Sequence, residues 1–118
     1  MNNVLTHSSL NIFISKIRSD NKKIVFTNGC FDIVHPGHIH LLSQAKLFGD
    51  ILVVGLNSDK SVKKLKGKER PLVNESDRSK ILLSIKFVDY VIIFDELTPR
   101  EIIEKIKPDT LVKGGDYM

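Results

Sequence analysis

The sequence predicts an α/β domain built on a parallel β-sheet with helices on both faces. Two observations carry that expectation. The apolar runs Ile24–Phe26 and Ile51–Leu56 read as buried strands; the second is continuous, as in a parallel strand covered on both sides. Segments with apolar residues at helical spacing lie between the strand candidates, so the elements alternate β-α-β-α-β-α-β, and such an order implies right-handed crossovers.

Taken in order, Leu10, Phe13, Ile14 and Ile17 predict a helix over 8–19, with Ser8 or Ser9 as its cap. Residues 1–21 are thus expected to form a helical segment packed on a domain spanning 22–118, with no chemistry attached. Asp20-Asn21 ends this helix, and a first strand follows at 23–28. A second helix over 37–48 has Pro36 in its first turn, where a missing N–H is harmless, and Gly49 at its end, where a positive φ is tolerated. The strand 51–56 stops at Asn57-Ser58-Asp59. Asn57 and Asp59 stand open between ligand contact and a turn or cap. The dense basic run Lys63–Arg70 reads either as a solvated loop or as a flap over a phosphorylated substrate, with Lys68 and Arg70 its best contacts. Asn74 caps a helix over 75–87 with Ile81, Leu82, Ile85 and Val88 inward; a strand at 90–94 follows. Thr98-Pro99-Arg100-Glu101 carries a capping-box pair and an N1 proline, predicting a helix to Lys107 that Pro108 stops; Thr110–Lys113 is the fourth strand. A Rossmann-like order places the first of these strands centrally, beside the fourth, with loops 29–38 and 113–117 flanking one crevice.

At 118 residues the chain holds one core. Its 42% hydrophobic and 27% charged residues are ordinary for a soluble domain, and no apolar run approaches the roughly 20 residues that span a bilayer. The N-terminus lacks a signal-peptide pattern, and the lone Cys30 fits a reducing cytoplasm. A net charge of +4 suits an anionic ligand without selecting one; a solvated lysine-rich surface is the alternative. Nucleic acid is disfavoured, because neither interleaved aromatic and basic residues nor zinc-finger spacing is present.

The chemistry concentrates in Asn28-Gly29-Cys30-Phe31-Asp32-Ile33-Val34-His35-Pro36-Gly37-His38. His35 and His38 share a face at the positive end of a helix, where free N–H groups and the dipole attract anions. Gly29 and Gly37 let a bulky ligand approach the main chain. The pattern describes a phosphate cradle with two imidazoles aimed into it. A zinc site is disfavoured, since no third ligand stands at metal spacing. Neither a Gly-x-Ser-x-Gly elbow nor a Walker A motif is present.

Gly29-Cys30-Phe31-Asp32 followed by His35-Pro36-Gly37-His38 resembles the signature of the cytidylyltransferase-like nucleotidyltransferases. Arg70-Pro71 and Leu111-Val112-Lys113-Gly114-Gly115-Asp116-Tyr117 are similar to the adenylyltransferase branch that makes ADP-heptose; the similarity runs from 22 to 118. The resemblance implies attack by a sugar 1-phosphate oxygen on the α-phosphorus of ATP, releasing pyrophosphate. That nucleophile is ionised near neutral pH, so positioning and charge stabilisation suffice. Histidine suits such a site, because nearby phosphate raises its pKa and favours the cationic donor. By resemblance, His35, His38 and Lys46 act on the phosphates, and Asn28, Gly29, Cys30, Phe31, Asp32 and Gly37 support the nucleotide. Lys113, Gly114, Gly115 and Asp116 complete the nucleotide site, while Lys68, Arg70 and Arg78 take the substrate phosphate. For Lys46 an exposed helix lysine, and for Arg78 an ion pair with Glu75 or Asp77, are the alternatives. Asp32 is expected to order its turn. Mg²⁺ is expected with the triphosphate, held mostly by phosphate and water. Homodimers are an expectation from the resemblance alone. The family pattern continues through another strand, a Ser/Thr-rich loop and a helix, so this chain is expected to be a fold short of its last strand and helix. A glycerol-3-phosphate cytidylyltransferase and a non-catalytic nucleotide-binding fragment are the competing readings.

Overall fold

The structure, a computed structural model, describes residues 3–113. Strands β1 (Val4–Leu5), β2 (Ile24–Gly29), β3 (Ile51–Asn57), β4 (Tyr90–Phe94) and β5 (Thr110–Leu111) form one sheet in the order β1-β4-β3-β2-β5. Every pairing is parallel, with Val25 opposite Leu52 and Thr110, and Gly55 opposite Ile92. The helices are α1 (His7–Ser19), α2 (Pro36–Lys46), α3 (Asp59–Lys66), α4 (Glu75–Leu83) and α5 (Arg100–Ile106).

The uninterrupted apolar runs acquire their meaning from the period of two along a strand. Phe26, Val53 and Ile92 pack on one face against Leu10, Phe13 and Ile17 of α1 and Ile102 and Ile106 of α5. Their neighbours Val25, Leu52, Val54 and Val91 pack on the other against Leu42 and Ala45 of α2 and Leu82 of α4. Both faces are dry, so alternation with polar residues would have buried unpaired polar groups. The order steps from β2 to β3 to β4, then returns across β2 to β5. β2 is an interior strand beside β5, the neighbour that the sequence predicts, although β3 takes the middle place; the reversal between β2 and β5 opens a crevice at their carboxyl ends.

Local chemistry departs from expectation at several points. β1 was not foreseen; two residues cannot show a period, and they are strand only because Val4 and Leu5 pair with Val91 and Ile92. α1 is capped by Thr6 rather than Ser8 or Ser9: its hydroxyl accepts from the Ser9 amide at 3.1 Å, and Ser9 Oγ accepts from the Thr6 amide at 2.9 Å. Part of the expected basic loop is helix α3, started by Ser58 Oγ, which accepts from the Ser61 amide. Its short apolar face, Val62 with Leu65, was masked by the surrounding lysines. Gly49 does not take a positive φ; a Cβ there would lie 2.8 Å from Val25 Cγ2 and 3.0 Å from the Lys23 carbonyl, so close approach explains it. α4 ends at Leu83, and Ile81, expected inward, is 43% exposed. Pro99 occupies the N-cap of α5 with no side-chain cap bond, so the predicted Thr98/Glu101 box does not form. Among the described residues no helix is long and apolar enough to cross a membrane.

One clamp holds the N-terminal helix to the sheet. Arg18 Nη1 donates to Asp109 Oδ2 at 2.6 Å and Nη2 to the Lys107 carbonyl at 2.6 Å, while Asp109 Oδ2 also accepts from the Ile24 amide at 2.8 Å. The Arg18 bond, then the Ile24 bond, hold this carboxyl below the usual aspartate range, against a small opposing effect of burial. A carboxyl with a depressed folded pKa stabilises the fold above its unfolded value and loses that contribution as the pH falls. Asp109→Asn is therefore expected to lower the melting temperature at neutral pH. The gap to wild type should narrow steadily as the pH falls below the ordinary aspartate value of 3.8. Thermal melts across pH check this; a gap independent of pH would refute the charge argument.

Candidate functional site

The site begins where β2 runs into α2. His35 is the N-cap of α2 in extended backbone, and Pro36 takes the first helical position. His35 Nδ1 accepts from the Gly37 amide at 3.0 Å, and His38 Nδ1 accepts from the His35 amide at 3.2 Å. The two imidazoles thus form a capping box of their own. Each Nδ1 is an acceptor, so the neutral ring carries its hydrogen on Nε2, leaving that atom to donate elsewhere. The rings lie 4.0 Å apart, and the edge of Phe31 meets His38 at 5.2 Å. Burial, and then the neighbouring His35, lower the pKa of His38, so the free site holds it neutral near pH 7. Protonation of Nδ1 would also break the cap. The cationic imidazole is the form expected beside a phosphate; without one, His38 is held toward the neutral form.

Both glycines of the motif serve close approach. A Cβ on Gly37 would lie 2.8 Å from His35 Cε1, and one on Gly29 would lie 2.9 Å from Phe31 Cε2. Phe31 itself holds φ at 45°, a conformation that a bulky residue rarely adopts, with its ring buried beneath the loop.

These residues line a cavity of about 600 Å³ at the carboxyl edge of the sheet. Asn28, Gly29, Cys30, Phe31, Asp32, His35, Gly37, His38 and Arg70 all contribute to its wall. Asp32 ties the motif to the segment entering α4. Its Oδ1 accepts from the Leu72 and Val73 amides at 2.9 and 3.0 Å, and its Oδ2 accepts from the Leu72 amide at 3.0 Å and from Arg70 Nη1 at 3.1 Å. Burial alone would raise the Asp32 pKa, but the two amides and the guanidinium outweigh it and hold the carboxyl below its usual range. Burial likewise pushes the Cys30 thiol up, opposed by the charges of Lys66 and Arg78.

Other predicted residues fall elsewhere. Arg78, expected to take the substrate phosphate, is fully buried. Its Nε donates to the Val73 carbonyl at 2.8 Å, Nη1 to the Cys30 and Asn57 carbonyls at 2.7 and 2.8 Å, and Nη2 to Asp59 Oδ1 at 2.7 Å. With every guanidinium nitrogen engaged it is a bolt beneath the site, and its ion pair is with Asp59 rather than Glu75 or Asp77. Lys46, expected to act on phosphates, ends α2, about 15 Å along the axis from Pro36 at 1.5 Å per residue. It pairs with Asp89 and donates to the Asp50 carbonyl. Lys46→Met is accordingly expected to cost about 1 kcal/mol or less of stability, and to leave pyrophosphate release unchanged. Urea midpoints and turnover check this; a tenfold loss of turnover at an unchanged midpoint would restore the catalytic reading. Lys68 and Lys113 are exposed and do not line the cavity. Gly114, Gly115 and Asp116 lie outside the described residues.

Sequence reasoning missed Lys66, Leu41, Leu65 and Leu97 in the cavity wall. Lys66 was recoverable, because it sits four residues after buried Val62 and so shares its helix face. Leu97 carries no such signal. Among the described residues no three His, Cys, Asp or Glu side chains converge as a metal cage.

A family model described as cytidylyltransferase-like matches residues 26–118. The bifunctional protein HldE of Aliarcobacter butzleri is 54% identical over 114 residues, covering 97% of this chain and 24% of that protein. HldE of Campylobacter jejuni is 61% identical over 101 residues, covering 86% and 22%. The chain therefore spans about a quarter of the length of the curated relatives it matches. A crystal structure of the lipopolysaccharide core biosynthesis protein from Thermoplasma volcanium superposes with a TM-score of 0.69 at 28% identity, covering 82% of this chain and 99% of that one.

Proposed function

Because this chain belongs to the cytidylyltransferase-like family of nucleotidyltransferases, we propose that it joins the α-phosphate of ATP to a sugar 1-phosphate, D-glycero-D-manno-heptose 1-phosphate, releasing pyrophosphate. The observation that carries the proposal is the pair of imidazoles at the N-terminus of α2, both with Nδ1 held by backbone amides, facing a cavity large enough for a nucleotide. Two Nε2–H donors and the positive end of a helix are suited to the charge that develops on phosphate oxygens during in-line displacement. They require no general base, since the attacking phosphate oxygen is already ionised. Magnesium enters as part of the nucleotide substrate. Asp32 is the one carboxylate in the wall among the described residues, and it is committed to Arg70 and two amides.

The choice of heptose rests on the similarity of Arg70-Pro71 and of residues 111–117 to the ADP-heptose branch, and the HldE relatives support it. The test is magnesium-dependent pyrophosphate release with ATP, CTP and GTP against heptose 1-phosphates and glycerol 3-phosphate. Release with ATP and a heptose 1-phosphate is expected. Release with CTP and glycerol 3-phosphate would replace the proposed substrates while keeping the chemistry. Binding of nucleotide without release in any combination would make this chain a binding module.

A further inference from the structure

We propose that Asp32 is a positioning residue: it fixes one edge of the Arg70 guanidinium so that the other edge stands ready for a phosphate in the cavity of His35 and His38. The inference rests on the reading of that cavity as a phosphate site. Two arginines flank the motif loop, and their bonding differs. Arg78 has a protein acceptor for Nε, Nη1 and Nη2 and is wholly buried. Arg70 lines the cavity with its side chain 43% exposed, and among the described residues Nη1 alone has an acceptor, Asp32 Oδ2. Nε and Nη2 remain as a donor edge, and a planar fork grips phosphate through paired donors.

A free arginine on a surface loop would lose rotamer freedom on binding an anion. Here that loss is met in advance. Asp32 side-chain exposure is only 9%, and its Oδ1 accepts from the amides of Leu72 and Val73, the two residues that follow Arg70-Pro71. One carboxylate therefore holds both the backbone and the side-chain head of the segment. The arrangement spans from the motif loop after β2 to the entry of α4, so it couples the cavity wall carrying the histidines to the one carrying Arg70.

The two oxygens share the Leu72 amide, but only Oδ2 meets Arg70 and only Oδ1 meets the Val73 amide, which makes the inference testable. Asp32→Asn retains Oδ1 for both amides, gives up the second bond from the Leu72 amide, and replaces Oδ2 by an NH₂ group that repels the Arg70 donor. Charge alone predicts the opposite sign: removing a negative charge from the wall would tighten the hold on an anion. The measurement is calorimetric binding of inorganic tripolyphosphate to the 118-residue chain and to Asp32→Asn, Arg70→Ala and the double variant. Asp32→Asn and Arg70→Ala are each expected to weaken binding about tenfold, the scale of one charge-assisted hydrogen bond. The double variant should bind no more weakly than Arg70→Ala, since Asp32 acts through Arg70. Tighter or unchanged binding by Asp32→Asn, or losses that add in the double variant, would overturn the proposal while leaving the phosphate site standing. Unchanged binding by Arg70→Ala would overturn it whether or not Asp32→Asn folds. If wild type does not bind tripolyphosphate, and His38→Ala is indistinguishable from it, the site reading and this proposal fall together.

Discussion

Replacing Arg78 by methionine is expected to cost the fold about 3–5 kcal/mol, the usual penalty for removing one partner of a buried ion pair. The side chain is fully buried, and its loss strands three carbonyls, those of Cys30, Asn57 and Val73, together with the Asp59 carboxylate. Each stranded acceptor keeps its desolvation penalty without its bond. A chain of this length holds about 12 kcal/mol at roughly 0.1 kcal/mol per residue, so the loss is a large share of the total. The melting temperature should fall by about 10–20 °C. Lysine should not rescue it, because one ammonium cannot reach acceptors arrayed around a planar fork. Asp59→Asn should be milder, since Asp59 is a third exposed at its side chain and retains an oxygen for Nη2. The competing expectation, that Arg78 grips a substrate phosphate, predicts a raised KM at an unchanged melting temperature. That outcome would refute the structural role.

The architecture was legible because burial leaves a strong mark on composition. The run Ile51–Leu56 is apolar at every position but Gly55, as a strand covered on both faces requires. The place of β2 beside the last strand followed from the Rossmann-like order expected of such an alternation. What escaped was local or was set by distant partners. β1 exists because β4 offers it an edge, which no short-range pattern records. α3 was hidden because four of its eight residues are lysines, and its buried side is only Ser61 and Val62.

The candidate site was legible to the extent that it is contiguous. His35, Gly37 and His38 sit within one helical turn, so spacing alone brings them together. Arg70 and Arg78 come from a separate stretch of chain, and sequence gave no means of ranking them. Both were assigned the same task, yet Arg78 points under the loop and Arg70 points into the cavity. The reason lies in placement on α4: Arg78 is one turn in, four residues after the Asn74 cap, on the side facing β3, where carbonyls at the strand end await a donor. Lys46 is set apart by the same kind of placement: it ends a helix of eleven residues, about 15 Å along the axis from the imidazoles, where it pairs with Asp89.

His38→Ala is expected to lower kcat for pyrophosphate release by about 10²–10³, the range seen when one preorganised donor to a developing charge is removed. Its effect on stability should be small, about 0.5–1 kcal/mol at neutral pH, because the ring contributes one cap bond from the His35 amide at a partly exposed position. The structure also fixes the sign of the pH dependence. The folded pKa of His38 lies below 6.5, so between that value and 6.5 the unfolded chain binds more protons. Wild-type stability should therefore decline as the pH falls below about 6.5, and the alanine variant should lose that part of the acid dependence. Above it His38 is neutral, and Nε2–H is the donor. Turnover should accordingly stay level between roughly pH 7 and 8.5, with no loss assignable to the imidazole. A kcat/KM that falls across this range in wild type and is flat in His38→Ala would instead require the cation, formed on phosphate binding at the expense of the cap. Retained turnover with a large loss of stability would mean that the imidazole serves the fold through its cap bond, leaving His35 and Arg70 to meet the phosphate.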